Sequence, residues 1–342
     1  MGIKIKEDLR KDKNMKKIIN DPDKIIDQML KGLVKANPNK VELLEDSKVI
    51  ARKDLPIEGK VGLISGGGSG HEPAHAGYVG DGMLDCAVCG EIFTSPTPDQ
   101  VLKAIKKADS GRGVFMVIKN YTGDVMNFEM AKDMAQMEDI DIEYVIVNDD
   151  VAVEGSSFTT GRRGIAGTVF VHKVLGAMAR DGKSLEEIKN MADKIVKNIK
   201  SMGMATKACI NPMSGKESFD LDEGKMEIGV GIHGEPGIRQ EEVKPADEIT
   251  KELIDTILKD YDSLEGDFVV MVNGMGQTPE MELFIVNNFL SDYLKEKNIN
   301  VVKTYIGNYM TSMDMAGFSI TLFKVDDIIL NYLESNADIV RS

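Results

Sequence analysis

The sequence predicts an α/β fold, built from two α/β domains with mostly parallel or mixed sheets flanked by helices. Short apolar segments typical of buried strands alternate along the chain with amphipathic segments of helical periodicity. The chain has 342 residues, and at about 100–200 residues per domain this length predicts two domains. A hydrophobic fraction of 42% with 10 prolines is ordinary for a folded protein and argues against disorder.

Residues 15–182 form the predicted N-terminal domain. Its strands are expected to be apolar on both faces and bounded by Gly, Asp or Asn, and they lie at Val61–Ser65, Asp85–Cys89, Val114–Ile118 and Tyr144–Val147. Helices are predicted at 23–36, 99–108 and 125–137. A stripe of Gly and Ala over Gly161–Ala179 predicts a buried helix that approaches another backbone closely. The segment 1–14 is charged and aperiodic, which predicts a flexible N-terminal extension.

Residues 183–342 form the predicted C-terminal domain, with the boundary near Gly182. A helix is expected from Ser184 to about Met204, and a polar surface segment is expected over 211–225. The β/α alternation then resumes. Strands are predicted at Met226–Ile232, Phe268–Val272, Val301–Ile306 and Phe318–Phe323, and helices at 247–259, 279–295 and 325–333.

The charge of the chain bounds the function. The 42 Lys+Arg and 56 Asp+Glu residues give a net charge of −14, which argues against nucleic acid because phosphate binding depends on clustered cations. The longest clean apolar run, Phe268–Val272, is far shorter than the roughly 20 residues of a membrane-spanning helix. No signal-peptide pattern is visible, and three cysteines cannot form a disulfide framework. The sequence therefore predicts a cytoplasmic protein that binds neither nucleic acid nor membrane.

The densest motif is a glycine-rich turn, expected to follow the strand Val61–Ser65 and to run over Gly66–Gly70. A nucleotide loop of the Walker type would need Lys followed by Ser or Thr after the glycines, whereas His71 and Glu72 stand there. The glycine spacing also misses the dinucleotide-binding fingerprint. Two interpretations stay open: a tight strand–helix connection, or a cradle whose backbone N–H groups face a ligand. The adjoining His71 favours a binding site.

Four histidines occur, and two of them are candidates for function. His71 and His233 each follow a predicted strand and lie among glycines, at the sheet edge where open α/β sheets bind ligands. The alternative for each is a histidine that satisfies local backbone groups. His75 has metal-like spacing from His71, but no acidic or cysteine cluster completes such a site, so no metal is expected. His172 lies in the predicted buried helix and is expected to be a hydrogen-bonded core residue.

Lys119 and Asp124 flank the end of the strand Val114–Ile118. Asp124 precedes a predicted helix, so it is either a helix N-cap or a carboxylate that shares a pocket with Lys119 and the glycine-rich turn. In the second interpretation it could take a proton from a substrate hydroxyl.

Two further patterns are interpreted as packing. Cys86 and Cys89 lie three apart on a predicted strand, so they point to opposite faces and are expected to be buried rather than metal ligands. Methionines recur with helical spacing at Met126, Met130, Met134 and Met137. They predict core or dimer packing rather than a cofactor site.

Four separated motifs, taken in order, resemble the dihydroxyacetone kinase K subunit family. They are ISGGGSGHEPAHAGYVG at 64–80, IKNYTGD at 118–124, SSFTTGRRGIAGTVFVHK at 156–173 and GIHGEPG at 231–237. The similarity runs from about Met15 to the C-terminus. The resemblance implies two α/β domains per protomer, a homodimer, and one triose site.

The resemblance also assigns roles to residues. The positions that match the family's substrate-binding turn are Gly68, Ser69, Gly70 and His71. Lys119 and Asp124 match further substrate contacts. His233 matches the histidine whose ring nitrogen adds to the ketone carbon to give a hemiaminal, and Asp124 and His71 match the groups assigned to proton transfer.

By the same resemblance, the chain is expected to be one subunit of a larger enzyme. No nucleotide loop or Mg²⁺ cluster is apparent, so no cofactor is expected in this chain. ADP/ATP and Mg²⁺ are expected on a separate L subunit, which an M subunit rephosphorylates from phosphoenolpyruvate. Two alternatives stay open: a paralogue that senses dihydroxyacetone as a co-activator, and a K-type subunit for a related small ketose such as erythrulose.

Overall fold

The computed structural model describes residues 16–153 and 161–341. The predicted extension 1–14 and residues 156–160 of the third motif lie outside the described residues. Within the described part the chain forms two six-stranded sheets and a small two-stranded one. The predicted α/β fold class is confirmed.

The first sheet is mostly parallel and has the strand order β1-β2-β5-β3-β6-β7. Its strands are β1 (Val41–Leu43), β2 (Val49–Arg52), β3 (Gly62–Ser69), β5 (Cys86–Ile92), β6 (Val114–Lys119) and β7 (Ile142–Val147). Strands β3, β5, β6 and β7 run parallel, and β1 and β2 add an antiparallel edge. The short strands β4 (Gly80–Asp81) and β14 (Asp338–Ile339) pair with each other.

The second sheet is mixed and has the order β10-β9-β8-β13-β11-β12. Its strands are β8 (Ile199–Lys207), β9 (Lys225–Ile228), β10 (Arg239–Glu242), β11 (Asp267–Gly274), β12 (Asn300–Gly307) and β13 (Ala316–Val325). Only β11 and β12 run parallel in this sheet, and the other described pairs are antiparallel.

Helices separate and cover the two sheets. They are α1 (Ile25–Ala36), α2 (Pro98–Ala108), α3 (Thr122–Gln136), α4 (Thr168–Arg180), α5 (Leu185–Lys197), α6 (Ala246–Lys259), α7 (Glu280–Glu296) and α8 (Asp327–Glu334). Helices α2 and α3 cover the outer face of the first sheet, and α6 and α7 cover the outer face of the second. Helices α4, α5 and α8 lie in the layer shared by both sheets. Because α4 packs on all sides, nearly every one of its residues is buried.

Three predictions about elements were wrong in part. The helix expected to reach Met204 ends at Lys197, and Ile199–Lys207 forms β8 because it pairs with β13 along its whole length. The buried helix expected from Gly161 begins at Thr168. The strand predicted to end at Ile232 ends at Ile228, where Gly229 adopts a positive φ of 74°.

The predicted domain division stays a prediction. Gly182 lies in the turn between α4 and α5, and both helices pack in the layer that the two sheets share. In the described residues no helix is long and apolar enough to cross a membrane.

Candidate active site

The candidate site lies at the carboxyl ends of β3 and β6. His71 follows β3 closely, Lys119 is the last residue of β6, and Asp124 lies in the first turn of α3. His233 reaches the same place from the loop after β9, with its ring centroid 4.6 Å from that of His71. The fold thus gathers side chains from both halves of the chain at the edge where parallel sheets bind ligands.

The glycine-rich segment forms the floor of this site, and it is a strand rather than the expected turn. Strand β3 continues through Ser69, and Gly67 pairs with Cys89 of β5. A Cβ on Gly67 would overlap the Lys119 Nζ atom, and its φ of 151° also favours glycine. The Ser69 hydroxyl donates to the Gly90 carbonyl at 2.7 Å, which ties the end of the strand to its neighbour.

His71 is fully buried and held in one tautomer. Its Nδ1 lies 2.9 Å from the Thr311 carbonyl oxygen, which can only accept, so the proton is on Nδ1 and Nε2 is unprotonated. No described residue is a hydrogen-bond partner for Nε2. Burial, helped by the Lys119 cation, lowers the pKa of His71 to about 3, although the bond to Thr311 opposes this. His71 is therefore a neutral acceptor at physiological pH.

His233 is also neutral, and a hydrogen bond within its own loop holds its backbone in place. Burial first, and then nearby His71 and the cations Lys119 and Arg163, lower the pKa of His233 well below its usual value. Its backbone N–H donates to Glu235 Oε2 at 2.8 Å. The Tyr121 ring lies edge-on at 3.9 Å between centroids. A neutral imidazole is a nucleophile, so this ring can attack a carbonyl carbon.

Lys119 and Asp124 form a buried ion pair. Their Nζ and Oδ2 atoms are 3.3 Å apart, and the side chains are 0% and 1% exposed. Asp124 Oδ1 is buried and has no hydrogen-bond partner in the described part of the chain. The helix N-cap interpretation of Asp124 was wrong, because Tyr121 is the N-cap and Asp124 faces Lys119. An unpaired carboxylate oxygen can accept a proton from a hydroxyl placed beside it.

Several residues of the site were not found by sequence reasoning. Phe93 stacks on His71 at 5.3 Å between centroids, and Tyr121 forms the wall beside His233. Arg163, in contrast, lies in the motif at 156–173; it is 1% exposed and pairs with Asp150 and Glu235, so it links the segment after β7 to the His233 loop. Tyr121 lies within the motif at 118–124 and could have been found there. Phe93 and Asp150 carry no local signal.

The remaining histidines and cysteines lie in buried positions. His172 is in the core as predicted, but neither of its ring nitrogens has a hydrogen-bond partner among the described residues, so the expected hydrogen bond was wrong. Cys86 and Cys89 are buried on opposite faces of β5, which confirms that prediction. In residues 16–153 and 161–341, no group of three or more His, Cys, Asp and Glu side chains could hold a metal ion.

The fold and the site together define a small-molecule-binding α/β protein whose site places neutral imidazoles beside a buried ion pair. The Dak1 domain family matches residues 31–341, so the chain belongs to that family.

Curated relatives cover most of the chain. It is 54% identical over 312 residues to the PTS-dependent dihydroxyacetone kinase, dihydroxyacetone-binding subunit DhaK, of Lactococcus lactis, covering 91% of this chain and 94% of that protein. It is 52% identical over 314 residues to the corresponding subunit of kinase 1 from Listeria innocua, covering 92% and 95%. The PEP-dependent subunit of Escherichia coli is 43% identical, with 92% and 95% covered.

Solved structures have the same fold. The dihydroxyacetone kinase operon co-activator Dha-DhaQ superposes with a TM-score of 0.86 at 38% identity, covering 91% of this chain and 96% of that one. The dihydroxyacetone kinase of C. freundii superposes with a TM-score of 0.87 at 31% identity, covering 95% of this chain and 60% of that longer chain.

Proposed function

We propose that this chain is the dihydroxyacetone-binding subunit of a phosphoenolpyruvate-dependent dihydroxyacetone kinase, a phosphotransferase. The observation that carries the proposal is the cluster of side chains: the ring centroids of neutral His71 and His233 lie 4.6 Å apart, and Lys119 and Asp124 form a buried ion pair in the same site. The 52–54% identity to dihydroxyacetone-binding subunits of PTS-dependent kinases, and the 43% identity to that of a PEP-dependent kinase, each over more than 90% of the chain, support it.

The first step is capture of the ketone. A ring nitrogen of His233 adds to the carbonyl carbon of dihydroxyacetone, the C=O π bond opens, and the proton of the imidazole passes to the oxygen. The product is a hemiaminal. Glu235 supports this step because it holds the His233 backbone at 2.8 Å. Glycerol has no carbonyl carbon, so the tether selects ketones over polyols.

The second step is phosphoryl transfer to the tethered hydroxyl. The hydroxyl oxygen bonds to the terminal phosphorus of ATP, the P–O bond to ADP breaks so that ADP leaves, and Asp124 Oδ1 takes the hydroxyl proton. His71 is neutral, and no described residue is a hydrogen-bond partner for its Nε2. This nitrogen therefore accepts a hydrogen bond from the substrate. The tether fixes the hydroxyl, and phosphoryl transfer depends mainly on such positioning and on charge stabilisation.

The nucleotide is proposed to be bound by another chain. The C. freundii kinase, of which this chain covers 60%, has been solved in complex with AMP-PNP and Mg²⁺. We infer that ADP/ATP and Mg²⁺ bind to a separate L subunit and that an M subunit restores the nucleotide from phosphoenolpyruvate. Because phosphoenolpyruvate is a cytoplasmic metabolite, dependence on it would place the protein in the cytoplasm.

The alternative function is a co-activator that binds dihydroxyacetone without phosphorylating it. The operon co-activator with a TM-score of 0.86 favours this possibility. Its 38% identity is lower than the 52–54% to the kinase subunits, and the kinase is therefore the first choice.

The test mixes this chain with L and M subunits, phosphoenolpyruvate and dihydroxyacetone, and measures triose phosphate. We expect turnover that Asp124→Asn reduces at least about a hundredfold, because the proton acceptor is lost. Asp133→Asn, on the exposed face of the same helix, is the matched control and should leave turnover unchanged. Ligand bound to His233 without turnover, under conditions in which an authentic K subunit works, would favour the co-activator.

A homodimer is part of the proposal. The face of α3 with Met126, Met130 and Met134 is exposed, since the helix packs instead through Phe128 and Ala131. Of the two predicted alternatives for these methionines, packing in the core was wrong, and packing in a dimer interface stays a prediction. Contiguous exposed apolar side chains are typical of interaction surfaces, and methionine adapts to many partners. If a second copy covers this face, Met130→Lys will shift the sedimentation equilibrium toward monomer.

A further inference from the structure

The Lys119 ammonium has three N–H donors, and three acceptors surround it. They are the Gly66 carbonyl oxygen at 3.2 Å, His75 Nε2 at 3.1 Å and Asp124 Oδ2 at 3.3 Å. The Lys119 side chain is 0% exposed, so water cannot replace an acceptor that is removed. The proposed chemistry uses Asp124 but gives no role to His75.

The protonation of His75 follows from its neighbours. An ammonium group can only donate, so Nε2 of His75 must be an unprotonated acceptor. Its proton is then on Nδ1, which faces the Ser65 hydroxyl oxygen at 3.4 Å. Ser65 in turn donates to the Val117 carbonyl at 2.7 Å, which leaves the lone pairs of its oxygen available to His75. A chain of hydrogen bonds thus runs from the backbone of β6 through Ser65 and His75 to Lys119.

The charged and titratable groups around His75 keep the ring neutral. Burial is the largest cause that lowers the pKa of His75 well below its usual value, and the Lys119 cation, His172, His71 and His233 act in the same direction. A protonated ring would lose the acceptor and would place a second cation beside Lys119. The neutral ring and the ammonium are therefore mutually consistent.

We propose that His75 is a positioning residue, resting on the proposed function: its Nε2 holds one N–H of Lys119, so that another N–H is aimed at Asp124 Oδ2 and Oδ1 stays available to the substrate. Without this acceptor the ammonium would have a buried N–H without a partner and would rotate to satisfy it. The carboxylate would then lose its fixed orientation, and proton transfer depends on that geometry.

The experiment compares His75→Leu, which removes the acceptor, with His75→Gln, whose side-chain amide can present an oxygen at a similar reach. His172→Leu is the matched control, because His172 is equally buried and packs 5.2 Å from the His75 ring without a described contact to Lys119. Each full-length variant is assayed for dihydroxyacetone binding by calorimetry and for kcat with L and M subunits, and far-UV circular dichroism checks folding.

We expect His75→Leu to lower kcat by about tenfold to a hundredfold, the range for a lost hydrogen bond to a charged group, while the dissociation constant for dihydroxyacetone changes less than about threefold. His75→Gln should recover most of kcat, and His172→Leu should keep it. An unchanged kcat in His75→Leu, or an equal loss in His172→Leu, would overturn the proposal.

A second measurement does not depend on turnover. Long-range ¹H–¹⁵N spectra of the wild-type imidazoles should show His75 with its proton on Nδ1 and a bare Nε2 throughout pH 6–8. A proton on Nε2 in that range would refute the positioning role even if the kinase assay succeeded. The wild-type protein could show this tautomer and yet neither bind nor phosphorylate dihydroxyacetone. That result would refute the proposed function and the role of His75 that rests on it, but not the hydrogen bond between Lys119 and His75.

Discussion

Replacing Arg163 by methionine removes the cation at the centre of a buried network. Its guanidinium group pairs with Asp150 at 2.6 Å and with Glu235 at 3.3 Å, and it also donates to the Gly229 carbonyl at 2.6 Å. All three charged side chains are at most 2% exposed. Breaking a buried pair by removing one partner costs about 3–5 kcal/mol, so we expect Arg163→Met to lose that much unfolding free energy at pH 7.5.

The loss should depend on pH in a defined direction. Burial raises the pKa of Asp150 to about 6, while the Arg163 cation opposes the rise. Without Arg163 this pKa moves higher still. A carboxyl group with a raised folded pKa binds more protons in the native state, so stability falls as pH rises between the unfolded and folded values. In the wild type the unfolding free energy stops falling near pH 6, the folded pKa of Asp150. In Arg163→Met it continues to fall, so the difference in unfolding free energy between the two proteins grows above pH 6.

The assay is urea unfolding of both proteins at pH 5 and pH 7.5. Arg162→Met is the matched control: Arg162 pairs with Asp260, but the two side chains are 25% and 21% exposed, so we expect a smaller loss than in Arg163→Met. A deficit below about 1 kcal/mol in Arg163→Met at pH 7.5, or an equal deficit at both pH values, would refute the reasoning.

Gly67, His172 and the cysteines of β5 are buried groups whose replacement or labelling has a defined expected result. Gly67→Ala should abolish turnover while the protein stays folded, because the added methyl overlaps the Lys119 amine; normal kcat would contradict this. Burial, helped by Lys119, lowers the pKa of His172 to about 3, so the native ring stays neutral while the unfolded one takes a proton below about pH 6.5. His172→Leu should therefore remove about 2 kcal/mol of the stability lost between pH 7.5 and 5 in urea titrations, and an unchanged pH dependence would be the contrary result. Native Cys86 and Cys89 should resist Ellman's reagent, because burial raises the pKa of Cys86 well above its usual value and that of Cys89 to about 12; rapid labelling without denaturant would show that the strand opens.

Much of the fold could be predicted because its strands and helices carry strong local patterns. Strand β6 was predicted within one residue and helix α2 within one residue, since each has an apolar pattern with clear ends. Strand β8 could not be predicted, because Ile199–Lys207 has no strand alternation and becomes a strand by pairing with β9 and β13, which are distant in sequence. The hairpin of β1 and β2 is too short to give a pattern.

The candidate site was predicted in part for the same reason. His71, Lys119, Asp124 and His233 lie next to strands or glycines that are visible in the sequence, and the fold brings them together. What could not be predicted are contacts between distant segments. The bond from His71 to Thr311 spans 240 residues, and it alone decides which ring nitrogen carries the proton.

The glycine strand has a consequence for how substrate preference can change. Residues Gly66–Gly68 of β3 carry no side chains, and a larger residue there would meet Val88, Lys119 or Thr94. Substitutions at the wall residues Phe93 and Tyr121, which contact His71 and His233, do not meet this obstacle. A search for variants that accept a longer ketose should randomise those walls and leave the floor untouched.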